Sequence, residues 1–123
     1  SSAASDVYKR QIPCRSEHIT AEREGETIVL SFPRFKYPWM QRFLVPKGMS
    51  KELHVKLEEH GTAVWELIDG KRNVREIIEK LADHFQNEEG YESRVSAYLS
   101  QMQKDGFIKL VIPVVYRNLL LFI

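Results

Sequence analysis

The alternation of apolar and polar residues changes once along the chain, from the period of a strand to the period of a helix. Residues 18–32 contain HITAERE, which alternates roughly, and ETIVLSF, which is rich in β-branched residues. Both stretches are typical of strands, and Glu24-Gly25 between them suits a tight hairpin turn. Residues 53–57, LHVKL, alternate again. We therefore predict a hairpin and a short third strand with Leu53, Val55 and Leu57 on one face.

A helical repeat follows at residues 58–68. The apolar face of this first predicted helix consists of Leu57, Gly61, Val64 and Ile68, with Leu67 beside them. Asp69-Gly70 ends the helix, because glycine accepts the left-handed conformation found at helix C-termini.

A second predicted helix begins after Asn73, which is a favourable N-cap residue. Glu76 stands three residues later, in the position that completes a capping box. The apolar stripe of this helix is formed by Val74, Ile77, Ile78, Leu81 and Phe85.

A third helix is predicted over residues 91–104, and Gly106 ends it. Its residues spaced for burial are Val95, Leu99 and Met102, with Tyr98 adjacent. Residues 107–111, FIKLV, are predicted to fold back as a wing strand. The elements together predict an α+β fold, a winged helix-turn-helix with N-terminal antiparallel β-strands, a three-helix core and a C-terminal wing strand.

The two ends of the chain do not share these patterns. Residues 1–11 have neither a helical nor a strand period, and DVYKRQ within them looks like a translated sequencing-library adapter. We interpret them as a disordered cloning or assembly scar, the alternative being a natural disordered leader. Residues 111–123 form an apolar tail, for which a sheet strand, a dimer contact and a second artefact all stay open. One domain is predicted between the ends, over residues 12–110.

Composition and charge exclude several classes of protein. The only cysteine, Cys14, cannot form an internal disulfide, and no Cys/His cluster has the spacing of a zinc site, so no metal or cofactor is expected. A net charge of +1 gives no overall attraction to nucleic acid or to an anionic membrane. We expect a cytoplasmic protein, since no run reaches the length of a membrane span and no signal peptide is recognisable.

Catalytic patterns are not found either. The histidines are scattered, Cys14 has no evident base partner, and Glu58-Glu59 would point apart on a helix. Asp69 is better explained as part of the end of the first helix. We therefore predict that the protein is not an enzyme.

One ordered set of residues in the helical part resembles the PqqD family. The set is Leu57, Glu58, Glu59, Gly61, Ala63, Trp65, Leu67, Asp69, Gly70, Val74 and Ile77. Residues 104–110, KDGFIKL, are similar to the family's closing helix-to-strand turn. The resemblance covers about residues 53–110, roughly half of the chain.

The resemblance implies a non-catalytic, peptide-binding module. Such elements bind the leader of a ribosomally made precursor peptide and present it to a radical SAM maturation enzyme. The peptide adds as a further strand to the edge of the N-terminal sheet, over a groove along the third helix. The peptide-binding residues implied for this chain are Leu53, His54, Val55, Lys56, Leu57, Tyr91, Arg94, Val95, Tyr98 and Met102. Burial in the core is the alternative for Val95 and Met102, and a homodimer is a further expectation.

Residues 33–51 are longer than the strand-to-strand link expected in this family. This aromatic-basic segment contains no acidic residue, whereas residues 52–92 hold eleven acidic residues against five basic ones. The segment is either a structural hairpin that covers the core or a surface that binds an acidic peptide or partner protein. Its partner-binding candidates are Arg34, Lys36, Trp39 and Arg42.

A regulatory winged helix that binds DNA is the alternative function. The third helix offers Arg94, Gln101, Gln103 and Lys104 for contacts with phosphates and bases. The acidic residues on and before this helix oppose that use, since they repel phosphate. We therefore favour peptide recognition and expect no binding of nucleic acid.

Overall fold

The computed structural model describes residues 2–33 and 52–113. Their helices and strands are, in chain order, α1 (Ser2–Arg10), β1 (Ile12–Arg15), β2 (Thr20–Glu24), β3 (Thr27–Pro33), β4 (Glu52–Lys56), α2 (Glu59–Glu66), α3 (Val74–Lys80), α4 (Tyr91–Lys104) and β5 (Ile108–Val111). This mixture of antiparallel strands and several helices confirms the predicted α+β class and is compatible with a winged-helix arrangement. The chain divides into a first unit, Ser1–Ser16 with Ala63–Ile123, and a second unit, Glu17–Thr62.

The second unit contains a three-stranded antiparallel sheet of order β2-β3-β4. β2 and β3 form the predicted hairpin, in which Glu24 lies opposite Thr27 and Gly25 adopts the left-handed conformation at φ +63°. β3 then pairs with β4, with Leu30 opposite Val55. β4 covers residues 52–56, one residue earlier than the predicted third strand at residues 53–57.

Thr62 closes the end of the β3–β4 ladder. The N–H of Leu57 donates to the carbonyl of Ile28 over 2.8 Å. The Thr62 hydroxyl accepts from the N–H of Ile28 over 3.2 Å and donates to the carbonyl of Leu57 over 3.3 Å. Thr62 is only 3% exposed, so water cannot readily replace this hydroxyl as the partner of either backbone group. The bridge therefore helps to fix the register of β4 on β3.

The first unit contains a two-stranded sheet that the sequence did not reveal. β1 pairs antiparallel with β5, with Cys14 opposite Lys109. The β1 sequence, IPCR, is short and contains a proline, so it carries no local strand signal. Ser16 continues the connection by donating its N–H to the carbonyl of Phe107 over 3.0 Å. Pairing with a distant strand therefore creates β1.

Residues 1–11 were expected to lack regular structure, and the structure corrects this with helix α1. The carbonyl of Gln11 accepts a hydrogen bond from the N–H of Val74 over 2.9 Å, and Asp6 lies 3.8 Å from Arg75. Lys9 and Arg10 place positive charge in the last turn of α1, where the helix dipole favours it. These contacts with α3 are invisible to local periodicity. That the segment is a cloning scar stays a prediction.

The helices α3 and α4 begin where the sequence predicted, although α3 ends at Lys80, before Leu81 and Phe85 of its predicted apolar stripe. Asn73 caps α3 through the N–H of Glu76, and Glu76 returns a bond to the N–H of Asn73, which confirms the capping box. α4 has the predicted bounds. Buried positions of these helices and their connections include Val64, Trp65, Ile68, Val74, Ile77, Ile78, Leu81, Phe85, Val95, Leu99 and Met102.

The turn after α2 is held by the carboxylate of Asp69. Its Oδ1 accepts from the N–H groups of Arg72 and Lys71, each over 2.9 Å. Both bonds lower the pKa of Asp69, and the bond from Arg72 has the larger effect. Gly70 follows at φ +78°, as expected of a glycine that ends a helix.

We predict that Thr62→Val lowers the free energy of unfolding by about 1–3 kcal/mol, because it leaves the buried N–H of Ile28 without an acceptor. Thr20→Val is the matched control, since Thr20 is exposed on β2, and its effect should stay within about 0.5 kcal/mol. Urea unfolding followed by circular dichroism measures both values. Equal effects of the two substitutions would contradict the bridging role of Thr62.

We also predict that Asn73→Ala costs about 1 kcal/mol of stability, because the N-cap acceptor of α3 is lost. Asn73→Asp keeps a side-chain oxygen at the cap and should stay close to the parent protein. The same urea titration compares them. An alanine variant as stable as the aspartate variant would show that the capping box contributes nothing.

Candidate functional site

β4 is an edge strand within the part of the chain that the structure describes. It pairs with β3 on one side, and no other described strand lies against its second side. Strand addition needs such an edge, because an incoming peptide pairs with backbone groups that the sheet leaves unused. The two segments that could cover the edge, residues 34–51 and 114–123, lie outside the described residues.

The bond from Leu57 to Ile28 reveals which backbone groups of β4 face outward. In an antiparallel ladder, residues direct both their N–H and C=O groups to the same neighbour, and the direction alternates along the strand. Since Leu57 faces β3, Val55 and Leu53 do so as well. The N–H and C=O groups of His54 and Lys56 therefore point to the outer edge.

The side chains of β4 alternate between the two faces of the sheet. Leu53 and Val55 are half-buried and Leu57 is buried, on the face where Ile28 and Leu30 are also buried. His54 and Lys56 are exposed on the opposite face. The predicted division between apolar and polar positions of this strand is therefore observed.

His54 is held by a residue that the sequence analysis did not single out. The hydroxyl of Ser31, directly opposite on β3, lies 2.8 Å from His54 Nδ1. This contact fixes the imidazole and leaves Nε2 as the ring nitrogen that can meet a ligand. The pairing of Ser31 with His54 could not be predicted from the sequence, because it depends on the register of β4 on β3.

The other edge of the sheet, β2, differs in character from β4. All five of its residues are exposed, and Glu22, Arg23 and Glu24 place three charges in succession. Arg23 lies opposite Ile28, on the face that carries the core residues. Charges on an edge strand, above all those on its inward face, discourage pairing with another strand. β4 instead carries the apolar Leu53 and Val55 on that face.

Two of the peptide-binding residues that were predicted on the third helix, now α4, are in contact with Phe85. The ring of Tyr91 stacks on Phe85 with centroids 6.2 Å apart, and Tyr91 also lines a cleft of about 260 Å³. The guanidinium of Arg94 lies 5.0 Å from the centre of the Phe85 ring and donates to Glu88 over 3.0 Å. The positive charge of Arg94 is therefore already paired with a carboxylate.

The other peptide-binding residues predicted on α4 differ in their burial. Val95 and Met102 are 0% and 4% exposed, so their side chains belong to the core, the alternative that the sequence left open. Tyr98 is half-buried. Arg34, Lys36, Trp39 and Arg42 lie outside the described residues, and their role as partner-binding residues stays a prediction.

No group of three or more His, Cys, Asp or Glu side chains is arranged to hold a metal ion in the described ranges. Among the same residues, no helix is long and apolar enough to cross a membrane.

The edge strand and the helices after it coincide with a known family. Residues 49–108 match the family model of coenzyme PQQ synthesis protein D (PqqD). The resemblance to the PqqD family is confirmed. The PqqD match spans β4, α2, α3 and α4, and it covers just under half of the chain. Neither the comparison with curated proteins nor that with solved structures gave a match.

The description of the PqqD family refers to synthesis of the coenzyme PQQ. Its members are non-catalytic accessory proteins that work with a precursor peptide and a biosynthetic enzyme. The matched residues include the whole of β4, whereas the hairpin β2–β3 precedes the match.

Proposed function

We propose that this protein binds the leader of a ribosomally made precursor peptide and presents it to a radical SAM maturation enzyme in the cytoplasm, without catalysing a reaction itself. The observation that carries the proposal is the edge of β4, which leaves the backbone groups of His54 and Lys56 without a partner strand in the described residues. The PqqD match over the same strand supports it.

The mechanism needs only the backbone and the pleat of β4. An extended leader pairs with the outward N–H and C=O groups of His54 and Lys56 and becomes a fourth strand of the sheet. Each backbone hydrogen bond contributes about 1 kcal/mol. The side chains of the two β4 faces then determine which leaders fit. Participation of Tyr91, Arg94 and Tyr98 stays a prediction from the family resemblance.

DNA binding, the alternative function, has less support from α4. Arg94 is paired with Glu88, and the side-chain amide of Gln101 donates to Asp105 over 3.1 Å. Glu92 and Glu89 are exposed at the same end of the helix as Arg94. Side chains that are already bonded to carboxylates are poorly placed to contact phosphates and bases.

Proline at position 56 tests strand addition directly. Lys56→Pro removes an outward N–H, whereas Lys56→Ala removes the side chain and keeps the N–H. We expect the proline variant to bind the leader about fivefold more weakly than the alanine variant, which corresponds to one backbone hydrogen bond. Proline is tolerated where an edge N–H faces outward, so both variants should show the circular dichroism of the folded parent.

The ligands for this test are synthetic peptides that cover the short reading frames flanking the gene, and fluorescence anisotropy measures their binding. Val55→Pro serves as the control for disruption, since Val55 pairs inward with Leu30 and its substitution should unfold the sheet. Equal affinities of Lys56→Pro and Lys56→Ala would exclude this edge as the site. Tight, salt-sensitive binding of a DNA duplex in a mobility-shift assay would favour the alternative function instead.

A further inference from the structure

The two faces of β4 present different chemistry to whatever pairs with its edge. A strand that joins the sheet adopts the same pleat, so its successive side chains point to opposite faces. Alternate residues of the added strand therefore lie beside Leu53 and Val55, and the residues between them lie beside His54 and Lys56. The pattern of β4 thus imposes a matching pattern on its ligand.

On the core face, the neighbours of the added strand are apolar. Leu53 and Val55 are half-buried, next to the buried Leu30 and Leu57. An apolar side chain at this position extends the existing apolar surface and covers the exposed parts of both residues, whereas a charged one loses hydration without gaining a partner.

On the opposite face, the neighbours are two nitrogen-bearing side chains. Lys56 is exposed, lies opposite Val29 on β3, and forms no ion pair with a carboxylate of the described residues. His54 is exposed, and the contact of its Nδ1 with Ser31 leaves Nε2 as the other ring nitrogen. The two residues are separated by two positions, about 6.6–6.8 Å along a strand. Carboxylates on residues i and i+2 of an added strand have the same spacing.

We propose that β4 selects peptides in which acidic residues alternate with apolar ones, the carboxylates facing His54 and Lys56 and the apolar side chains facing Leu53 and Val55. The inference rests on the proposed function and specifies the class of leader sequence that it recognises. Charge complementarity across the pair provides the selection, because opposite charges on neighbouring strands are favourable and like charges are not.

A second copy of the chain is the competing occupant, since β2 also carries acidic residues at alternate positions, Glu22 and Glu24. However, Arg23 between them lies on the face of the core residues, and would place a charge beside Leu53 and Val55. The apolar half of the required pattern is therefore missing from β2, which favours a peptide as the occupant.

Three blocked peptides test the proposal with the full chain. They share a Val-x-Val-x-Val segment flanked by Gly and Ser, with x as Glu, Gln or Lys. By fluorescence anisotropy at low salt we expect the Glu peptide to bind about tenfold more tightly than the Lys peptide, with the Gln peptide between them. High salt should reduce this preference, because the charges involved are exposed.

Charge reversal on the protein assigns the preference to β4. Lys56→Glu should invert the order, so that the Lys peptide binds most tightly. Lys109→Glu is the matched control, since Lys109 is an exposed lysine of strand β5 in the first unit, and it should leave the order unchanged. Equal effects of the two substitutions would show a general charge effect and overturn the proposal.

The failures of the two proposals are distinguishable. If the three peptides bind equally and Lys56→Glu changes nothing, acidic selection is wrong, while strand addition stands as long as Lys56→Pro still weakens leader binding. Binding of none of the three peptides, with the leader still bound at this edge, also overturns acidic selection. Concentration-dependent self-association in sedimentation, lost on Glu22→Lys, would identify the second copy as the occupant and overturn the proposal.

Discussion

The hydroxyl of Thr62 sets the geometry on which the candidate site depends. It joins the N–H of Ile28 to the carbonyl of Leu57, just where the β3–β4 ladder ends. A slip of one residue would turn every β4 side chain to the other face and exchange the inward and outward backbone groups. Leu53 and Val55 would then face solvent, and His54 would face the core. One buried hydroxyl therefore helps to determine both the core of the second unit and which backbone groups of β4 point to its outer edge.

The two edges of this sheet are different because of where charge lies. β2 has three successive charged residues, including Arg23 on the core side, which makes pairing with another strand costly. β4 keeps its charged side chains on the opposite face and its apolar ones on the core side. Within the described residues, the two edges of the sheet therefore differ in whether charge lies on the face of the core residues.

Local signals predicted the three helices that follow β4 and the hairpin of β2 and β3. The capping box of Asn73 and Glu76, the bounds of α4 and the turn at Gly25 each depend on residues within four positions of one another. The helical period indicated the burial of Val95, Leu99 and Met102, which is observed, although the family resemblance implied a peptide contact for Val95 and Met102. In contrast, β1 exists through pairing with β5, about a hundred residues later, and α1 contacts α3 through Asp6 and Arg75. Such long-range contacts leave no periodic trace in the short segments they stabilise.

The sequence by itself determined the α+β class, the helical core, the alternation of β4 and the resemblance to PqqD. Each of these depends on the order and spacing of nearby residues. The tertiary structure decided the register of β4 on β3 and therefore which backbone groups of β4 point to its outer edge. It also decided that Ser31 orients His54 and that Arg94 is paired with Glu88. These properties depend on the register between strands and on distances between side chains, which become defined only when separate parts of the chain pack together.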